Sequence, residues 1–142
     1  MKNESFAADR RLIQALQERS EPIACSEGRK LFIQGERSSG VYILEDGEAA
    51  LVLNARSGRT VMSLHAGSGS LLGLPAVVAG EPYSLTAMVR PGSKVQFVTR
   101  DDFEKLIEAE PGLYPAVLEQ ALTTVSVPAV GSVGYPLGTS QN

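Results

Sequence analysis

The hydrophobic positions divide the chain into helical ends and a strand-rich middle. Residues Ser5–Arg19 predict a helix, because Leu12, Ile13 and Leu16 fall near one face, and Glu21-Pro22 then breaks the pattern. From Gly28 to Thr99, short apolar runs alternate with turn residues, which is typical of short strands. The strand candidates are Leu31–Ile33, Val41–Leu44, Ala49–Leu53, Thr60–Leu64, Leu85–Val89 and Lys94–Val98.

Each segment between these strand candidates carries a glycine where a tight turn needs one. Gly35, Gly47, Gly58 and Gly92 can adopt the positive φ that such turns demand. Gly67, Gly69 and Gly73 also fit turn geometry, and without the lysine of a P-loop they resemble a phosphate cradle only loosely. Even spacing of short strands and turns predicts a sandwich or a small barrel.

Three further helices are predicted around and after the strands. Pro75–Ala79 predicts one short helical turn, and Arg100–Glu110 a longer helix whose first amides Asp101 or Asp102 can cap. A third helix begins near Pro115 and carries an apolar stripe that covers the barrel or meets a second subunit. That stripe consists of Val117, Leu118, Ala121, Leu122 and Val125.

Size and charge narrow the class of protein. The chain has 142 residues, 43% of them hydrophobic, and a net charge of −3, which predicts one ordered domain. Its most apolar stretch, Leu71–Gly80, is about half of the ~20 residues that a membrane span needs. No secretory signal is visible at the N-terminus, so we expect a cytoplasmic protein without membrane contact. Thirteen basic against sixteen acidic residues predict no direct nucleic-acid binding.

The sequence contains one cysteine and one histidine. Cys25 cannot form an internal disulfide or a cysteine-ligated zinc or iron–sulfur site, and we expect a partly buried, inert thiol rather than a redox sensor. Because His65 is the only histidine of the sequence, a metal centre with several histidine ligands is excluded. We expect His65 to be an exposed or hydrogen-bonded side chain rather than a metal ligand or a catalytic base. No metal site and no catalytic residue is predicted.

Three segments, in this order, resemble the cyclic nucleotide-binding domain family. They are Gly28–Glu36, Gly40–Glu48 and Val95–Phe103, which look like the first strands of that β-roll and its last strand with the following helix. Gly69–Val89 looks most like the sensor domains of the Crp/Fnr group of bacterial transcription regulators. The resemblance implies a mainly β fold with flanking helices, a double-stranded β-helix or jelly-roll-like β-roll. We expect no helix-turn-helix domain of the kind that those regulators carry, because the sequence after Pro128 resembles a loop.

The resemblance also implies a ligand pocket, from which the two charged groups of the family are missing. The family holds the ligand's phosphate with a short helix and an arginine, and the ribose with a glutamate. Here Tyr83 stands in the place of the arginine, and Gly73 or Leu74 in that of the glutamate, while the amides of Ala76 and Val77 could still face an anion. The candidate pocket residues are Leu72, Gly73, Leu74, Ala76, Val77, Tyr83, Ser84 and Thr86.

These features predict a non-enzymatic regulatory domain that senses a small ligand. Each lost charge-assisted hydrogen bond costs roughly 1.5–3 kcal/mol, so we expect weak or no binding of cAMP or cGMP in the usual mode. No cofactor is expected beyond such a ligand or another small anion. One alternative is a ligand-free module that forms a homodimer through residues 115–126 or docks a partner, and another is a cupin-type metal enzyme. The expected division is 1–27 for the N-terminal helix and lead-in, 28–126 for the β-roll with its C-terminal helices, and 127–142 for a flexible tail.

Overall fold

The computed structural model describes residues 10–121. The helices are α1 (Arg10–Gln17), α2 (Leu74–Ala79), α3 (Arg100–Ala109) and α4 (residues 114–121), the last preceded by a 3₁₀ turn at Pro111–Leu113. The strands are β1 (Glu21–Ile23), β2 (Arg29–Phe32), β3 (Gly40–Asp46), β4 (Ala49–Asn54), β5 (Thr60–Ala66), β6 (Ser70–Leu72), β7 (Thr86–Val89) and β8 (Lys94–Thr99).

The eight strands form two four-stranded sheets in which every pairing is antiparallel. The strand order is β1-β8-β3-β6 in the first sheet and β2-β7-β4-β5 in the second. Strands that follow one another in sequence therefore often lie in opposite sheets, as in a jelly roll. The predicted mainly β fold with flanking helices is confirmed.

Strand β3 shows why the core has two parts. Its side chains alternate between the two faces of the first sheet. Tyr42 and Leu44 are buried between the sheets, whereas Val41 and Ile43 are buried on the other face against helices α1, α3 and α4. Burial on both faces explains the uninterrupted apolar run that marked this strand in the sequence.

The six strand predictions are confirmed, but two strands were missed. The predicted break at Glu21-Pro22 is strand β1, a three-residue edge strand in which proline is tolerated because it pairs only with β8. Strand β6 lies between Gly69 and Gly73, where the sequence predicted only turns. Its three residues are all buried against β3, and a run that short carries no periodicity to identify it.

The helix predictions are confirmed within the described residues, with one correction. Helix α3 is capped by Thr99, whose hydroxyl oxygen accepts a hydrogen bond from the amide of Asp102 at 3.0 Å, and not by Asp101 or Asp102. In α4, Val117 and Ala121 are buried in the helix-side core, while Leu118 remains 38% exposed.

Parts of the sequence predictions fall outside residues 10–121. These are the start of the first helix, Leu122 and Val125 of the apolar stripe, and the tail at 127–142. Within the described part, no helix combines the length and the apolar run that crossing a membrane requires.

Candidate functional site

A small cavity lies between the two sheets, beside α2 and the loop that leads into β7. Its volume is about 40 Å³, against roughly 300–1,000 Å³ for typical ligand pockets. No charged side chain is among the residues that line it. The lining residues used below are Phe32, Leu72, Gly73, Ala76, Tyr83 and Ser84.

Tyr83 lines this cavity with a side chain that is held firmly in place. Its side chain is buried, with 3% of its surface exposed, and its ring stacks on that of Phe32 with centroids 3.9 Å apart. The hydroxyl donates to the carbonyl of Gly40 at 2.7 Å and accepts from the amides of Ser39 and Gly40, each at 3.1 Å. The phenol is therefore fixed at both ends, by the stack at its ring and by three hydrogen bonds at its oxygen.

Gly73 makes room for the tyrosine ring. It precedes α2 with φ of 85°, in the left-handed region that glycine favours. A Cβ atom built on it would lie 2.8 Å from Cε1 of Tyr83, closer than carbon atoms pack. A side chain at this position and the buried ring of Tyr83 thus exclude one another.

The short helix α2 does not supply a set of free amides. The amide of Val77 donates to the carbonyl of Gly73 at 3.2 Å, which is an ordinary bond within the helix. Leu74 and Val77 are buried in the core between the first sheet and the helices, away from the cavity. The expected anion cradle at Ala76 and Val77 therefore has one of its two donors already engaged.

Thr86 is also occupied elsewhere. Its hydroxyl oxygen accepts the amide of Gln34 at 2.9 Å, and its side chain is buried. The side-chain amide of Gln34 in turn accepts from the backbone N–H of Asn54 at 2.8 Å and donates to the carbonyl of Asn54 at 3.1 Å. These bonds fix the loop after β2 against the end of β4.

Five of the eight predicted site residues thus line one cavity. They are Leu72, Gly73, Ala76, Tyr83 and Ser84, while Leu74, Val77 and Thr86 lie outside it. The sequence reasoning missed Phe32 and Gly40, the two main partners of Tyr83. An aromatic residue at the end of a strand and a glycine at the start of the next were the only signals available.

A second phenol packs next to the first. Tyr42 donates its hydroxyl to the carbonyl of Leu31 at 3.0 Å, and its ring lies 5.6 Å from that of Phe32. Burial, and to a smaller extent the neighbouring Tyr83, raises the pKa of Tyr42 above its ordinary value. Both effects favour the neutral phenol.

Cys25 and His65 are placed as the sequence predicted. Cys25 is buried, and desolvation raises the pKa of its thiol despite the nearby Arg29, so little of the reactive thiolate forms. His65 is 57% exposed, with Nε2 3.6 Å from an oxygen of Glu48. Within residues 10–121, no three His, Cys, Asp or Glu side chains form a group that could hold a metal ion.

Comparisons with known proteins agree with this architecture. The family model described as cyclic nucleotide-binding domain matches residues 23–110. No curated protein matches the sequence. Several solved structures have a similar fold, with TM-scores of 0.62 to 0.70 for the three described next. Their sequences are 14% to 21% identical to this chain, so the likeness shows the fold alone.

Three of these structures show how identity and coverage vary. The c-di-GMP responsive global regulator CLP of Xanthomonas campestris is 14% identical with a TM-score of 0.70, and the alignment covers 84% of this chain and 58% of that protein. The catabolite activator protein of Thermus thermophilus is 21% identical with a TM-score of 0.62, and the alignment covers 84% of this chain and 54% of that protein. The N-terminal domain of a transcriptional regulator from Streptomyces coelicolor A3(2) is 18% identical with a TM-score of 0.66, and the alignment covers 92% of this chain and 94% of that domain. The chain thus spans just over half the length of the first two proteins and nearly all of the third.

Proposed function

Because the chain belongs to the cyclic nucleotide-binding domain family, we propose that it is a non-enzymatic regulatory domain whose own pocket is closed to cyclic nucleotides by Tyr83. The observation that carries this proposal is the buried tyrosine ring, which leaves a cavity of about 40 Å³. A cyclic nucleotide requires several times that volume. The family's pocket is therefore filled by a side chain of the protein itself.

Electrostatics supports the same proposal. A cyclic phosphate carries a negative charge, and burying it without a cationic partner is costly. The residues that line the cavity include no cation, and Tyr83 offers only a hydroxyl whose hydrogen bonds are already made to Ser39 and Gly40. Binding of cAMP in the family's mode would have to break those bonds and leave the phosphate uncompensated.

We expect such a domain to act through protein contacts at its helical side. Tyr114 and Leu118, on the first turns of α4, are 46% and 38% exposed, whereas Val117 on the same helix is fully buried. The helix therefore covers the core with one face and leaves large apolar groups on another. A homodimer through residues 115–126, or a partner that docks there, would use this exposed face.

A sensor for a small uncharged ligand is the second candidate function. The cavity is lined mainly by apolar groups, and the exposed Ser84 lies among its lining residues. A ligand of the size of one aromatic ring that displaced Tyr83 would shift the protein between two arrangements. Such a ligand must offset the stacking and the hydrogen bonds that Tyr83 loses.

Calorimetry with cAMP, cGMP and c-di-GMP tests the closed pocket. We expect no binding to the wild-type protein at ligand concentrations up to about 1 mM, and a Kd below about 10 µM for any of the three would overturn the proposal. Tyr83→Arg removes the ring and adds a guanidinium, so we expect it to gain measurable cAMP binding. Ser57→Arg, in the exposed turn between β4 and β5, adds the same charge elsewhere and should not.

The protein contact is tested by light scattering over a range of concentrations. A concentration-dependent dimer that Leu118→Glu abolishes would support the contact through α4. Val61→Glu is the matched control, because Val61 is 57% exposed on β5 in the other sheet. A wild-type protein that stays monomeric at all concentrations, or a dimer that only Val61→Glu disrupts, would exclude this surface for self-association.

A further inference from the structure

An apolar groove of about 290 Å³, open to solvent, lies where α2, α3 and the first residue of α4 meet. Val77 and Phe103 line it and are buried in the helix-side core. Val78 and Ile107 also line it, but they pack only against the outside of that core and remain half-buried. Tyr114 lines it with 46% of its surface exposed. The groove therefore leaves a patch of apolar surface uncovered.

Two carboxylates border this groove. Glu104 and Glu108 both line it, and because they are four residues apart they lie one turn apart on the same face of α3. Each directly follows an apolar lining residue, Phe103 or Ile107, so α3 presents an apolar row and an acidic row side by side. Neither carboxylate forms an ion pair within residues 10–121. No lysine or arginine is among the described residues that line the groove.

The charge beside the groove differs from that of the rest of the chain. Residues 100–121, which contain α3 and α4, carry six acidic and two basic side chains. One of the two basic side chains, Lys105, is already paired with Asp101 at 3.2 Å. All other residues of the sequence together carry ten acidic and eleven basic side chains. Negative charge is thus concentrated on the helices beside the groove, where it attracts a positively charged partner.

From these observations we propose that the groove binds an amphipathic helix of another protein, whose apolar stripe is bordered by lysine or arginine side chains. The apolar stripe packs on Val78, Ile107 and Tyr114, as in other helices that dock in apolar grooves. Basic side chains three or four residues apart along the partner helix pair with Glu104 and Glu108. Exposed pairs of this kind add little affinity, but they select a basic partner over an acidic one. The proposal rests on the protein contact at the helical side that is proposed above, and it specifies the chemistry of the partner.

The chain itself offers no occupant of this chemistry. Helix α1 begins with two arginines, but its Leu12 and Leu16 are fully buried, so these apolar side chains are already packed within their own chain. Residues 122–142 contain no lysine or arginine, and residues 1–9 contain one lysine. Charge complementarity therefore favours a different protein over a second copy or a terminal segment of this chain.

Fluorescence anisotropy with labelled peptides tests the proposal on the full chain. The probe is a helical peptide of about 18 residues with leucines three and four residues apart on one face and lysines on both borders of that face. We expect a Kd below about 100 µM at low salt, and binding at least about tenfold weaker when the lysines are replaced by glutamates or the sequence is scrambled. A weaker Kd than this, or a basic peptide that binds no more tightly than either control peptide, would overturn the proposal.

Charge reversal locates the binding. Glu104→Lys combined with Glu108→Lys should weaken binding of the basic peptide at least about tenfold and strengthen binding of the acidic peptide, a gain that misfolding cannot produce. Glu21→Lys combined with Glu27→Lys is the matched control, because it makes the same change in net charge at exposed positions that do not line the groove. Equal affinities of the two double variants for the basic peptide would overturn the assignment.

Two further measurements test the apolar contact and the identity of the occupant. Tyr114→Ala should weaken peptide binding at least about threefold, whereas Val61→Ala, exposed on β5, should not, and equal affinities would overturn the apolar contact. If the chain alone forms a dimer that the double variant at Glu104 and Glu108 abolishes, the groove belongs to a second copy and the proposal is overturned. A dimer that Leu118→Glu abolishes, together with no peptide binding, would overturn the basic partner and leave the protein contact through α4 standing.

Discussion

Replacing Tyr83 by phenylalanine removes a single oxygen atom and leaves the stacked ring in place. That oxygen makes three hydrogen bonds, one donated to the carbonyl of Gly40 and two accepted from the amides of Ser39 and Gly40. Gly40 is buried, so its backbone groups cannot turn to water when the hydroxyl is lost. The substitution therefore tests whether the phenol is held at its oxygen as well as at its ring.

The magnitude follows from the number and burial of the lost bonds. A hydrogen bond contributes about 0.5–1.5 kcal/mol net, and a buried group left without a partner costs about 1–3 kcal/mol. Ser39 is exposed, so its amide regains a bond to water. We therefore expect Tyr83→Phe to lower the free energy of unfolding by about 2–3 kcal/mol.

Urea unfolding at pH 7 measures this loss. With a slope of about 2 kcal/mol per M, the midpoint should fall by about 1 M while the slope stays constant. Tyr114→Phe is the matched control, because it deletes the same oxygen from a side chain that is 46% exposed, and it should change stability by less than about 0.5 kcal/mol. Equal midpoints for the two variants would refute the reasoning.

Three further predictions concern packing, capping and pH. Gly40→Ala should cost more than about 2 kcal/mol, because its Cβ would collide with the backbone carbonyl oxygen of Val98 and lie 2.7 Å from the ring of Phe97, whereas Gly67→Ala, with nothing within 4 Å, should be near neutral in the same urea titration. Thr99→Ala should cost about 1 kcal/mol by removing the cap of α3, and Thr99→Ser, which keeps a hydroxyl, should restore most of it; equal loss in both would contradict the cap. Burial raises the pKa of Tyr42 above its ordinary 10.0, so the folded state favours the neutral phenol, and stability is intact below pH 10 and falls as the pH rises beyond it. Tyr42→Phe should make that fall shallower in thermal melts between pH 9 and pH 11, and an identical pH profile would argue against the shift.

Much of the fold was accessible from the sequence because its signals are local. Buried strands such as β3 are recognisable in the sequence as apolar runs. The turns between strands carry glycines that the structure places at positive φ, among them Gly47 at 119°. Strands β1 and β6 were not predicted, because each has three residues and is specified by its neighbours in the sheet rather than by its own hydrophobic pattern. The cap at Thr99 was missed because two aspartates, Asp101 and Asp102, lie two and three residues after it.

The site was less predictable, because its decisive contacts join distant parts of the chain. The place of Tyr83 in the sequence marked it as a pocket residue, but 43 positions separate it from Gly40, which accepts its hydrogen bond. Whether an aromatic ring lines a pocket or fills it depends on what it stacks against. Nothing local ties Phe32 or the left-handed backbone of Gly73 to that ring.

The side-chain amide of Gln34 has a consequence for how the second sheet begins to open. Strand β7 pairs with β4 only as far as Val52, and the two amide–backbone bonds at Asn54 continue the pairing where no strand is left to do so. Strand ends open locally before the rest of a sheet does, because fewer contacts hold them. By imitating a peptide group at that point, a single glutamine ties the end of β4 to the loop after β2 and opposes fraying there.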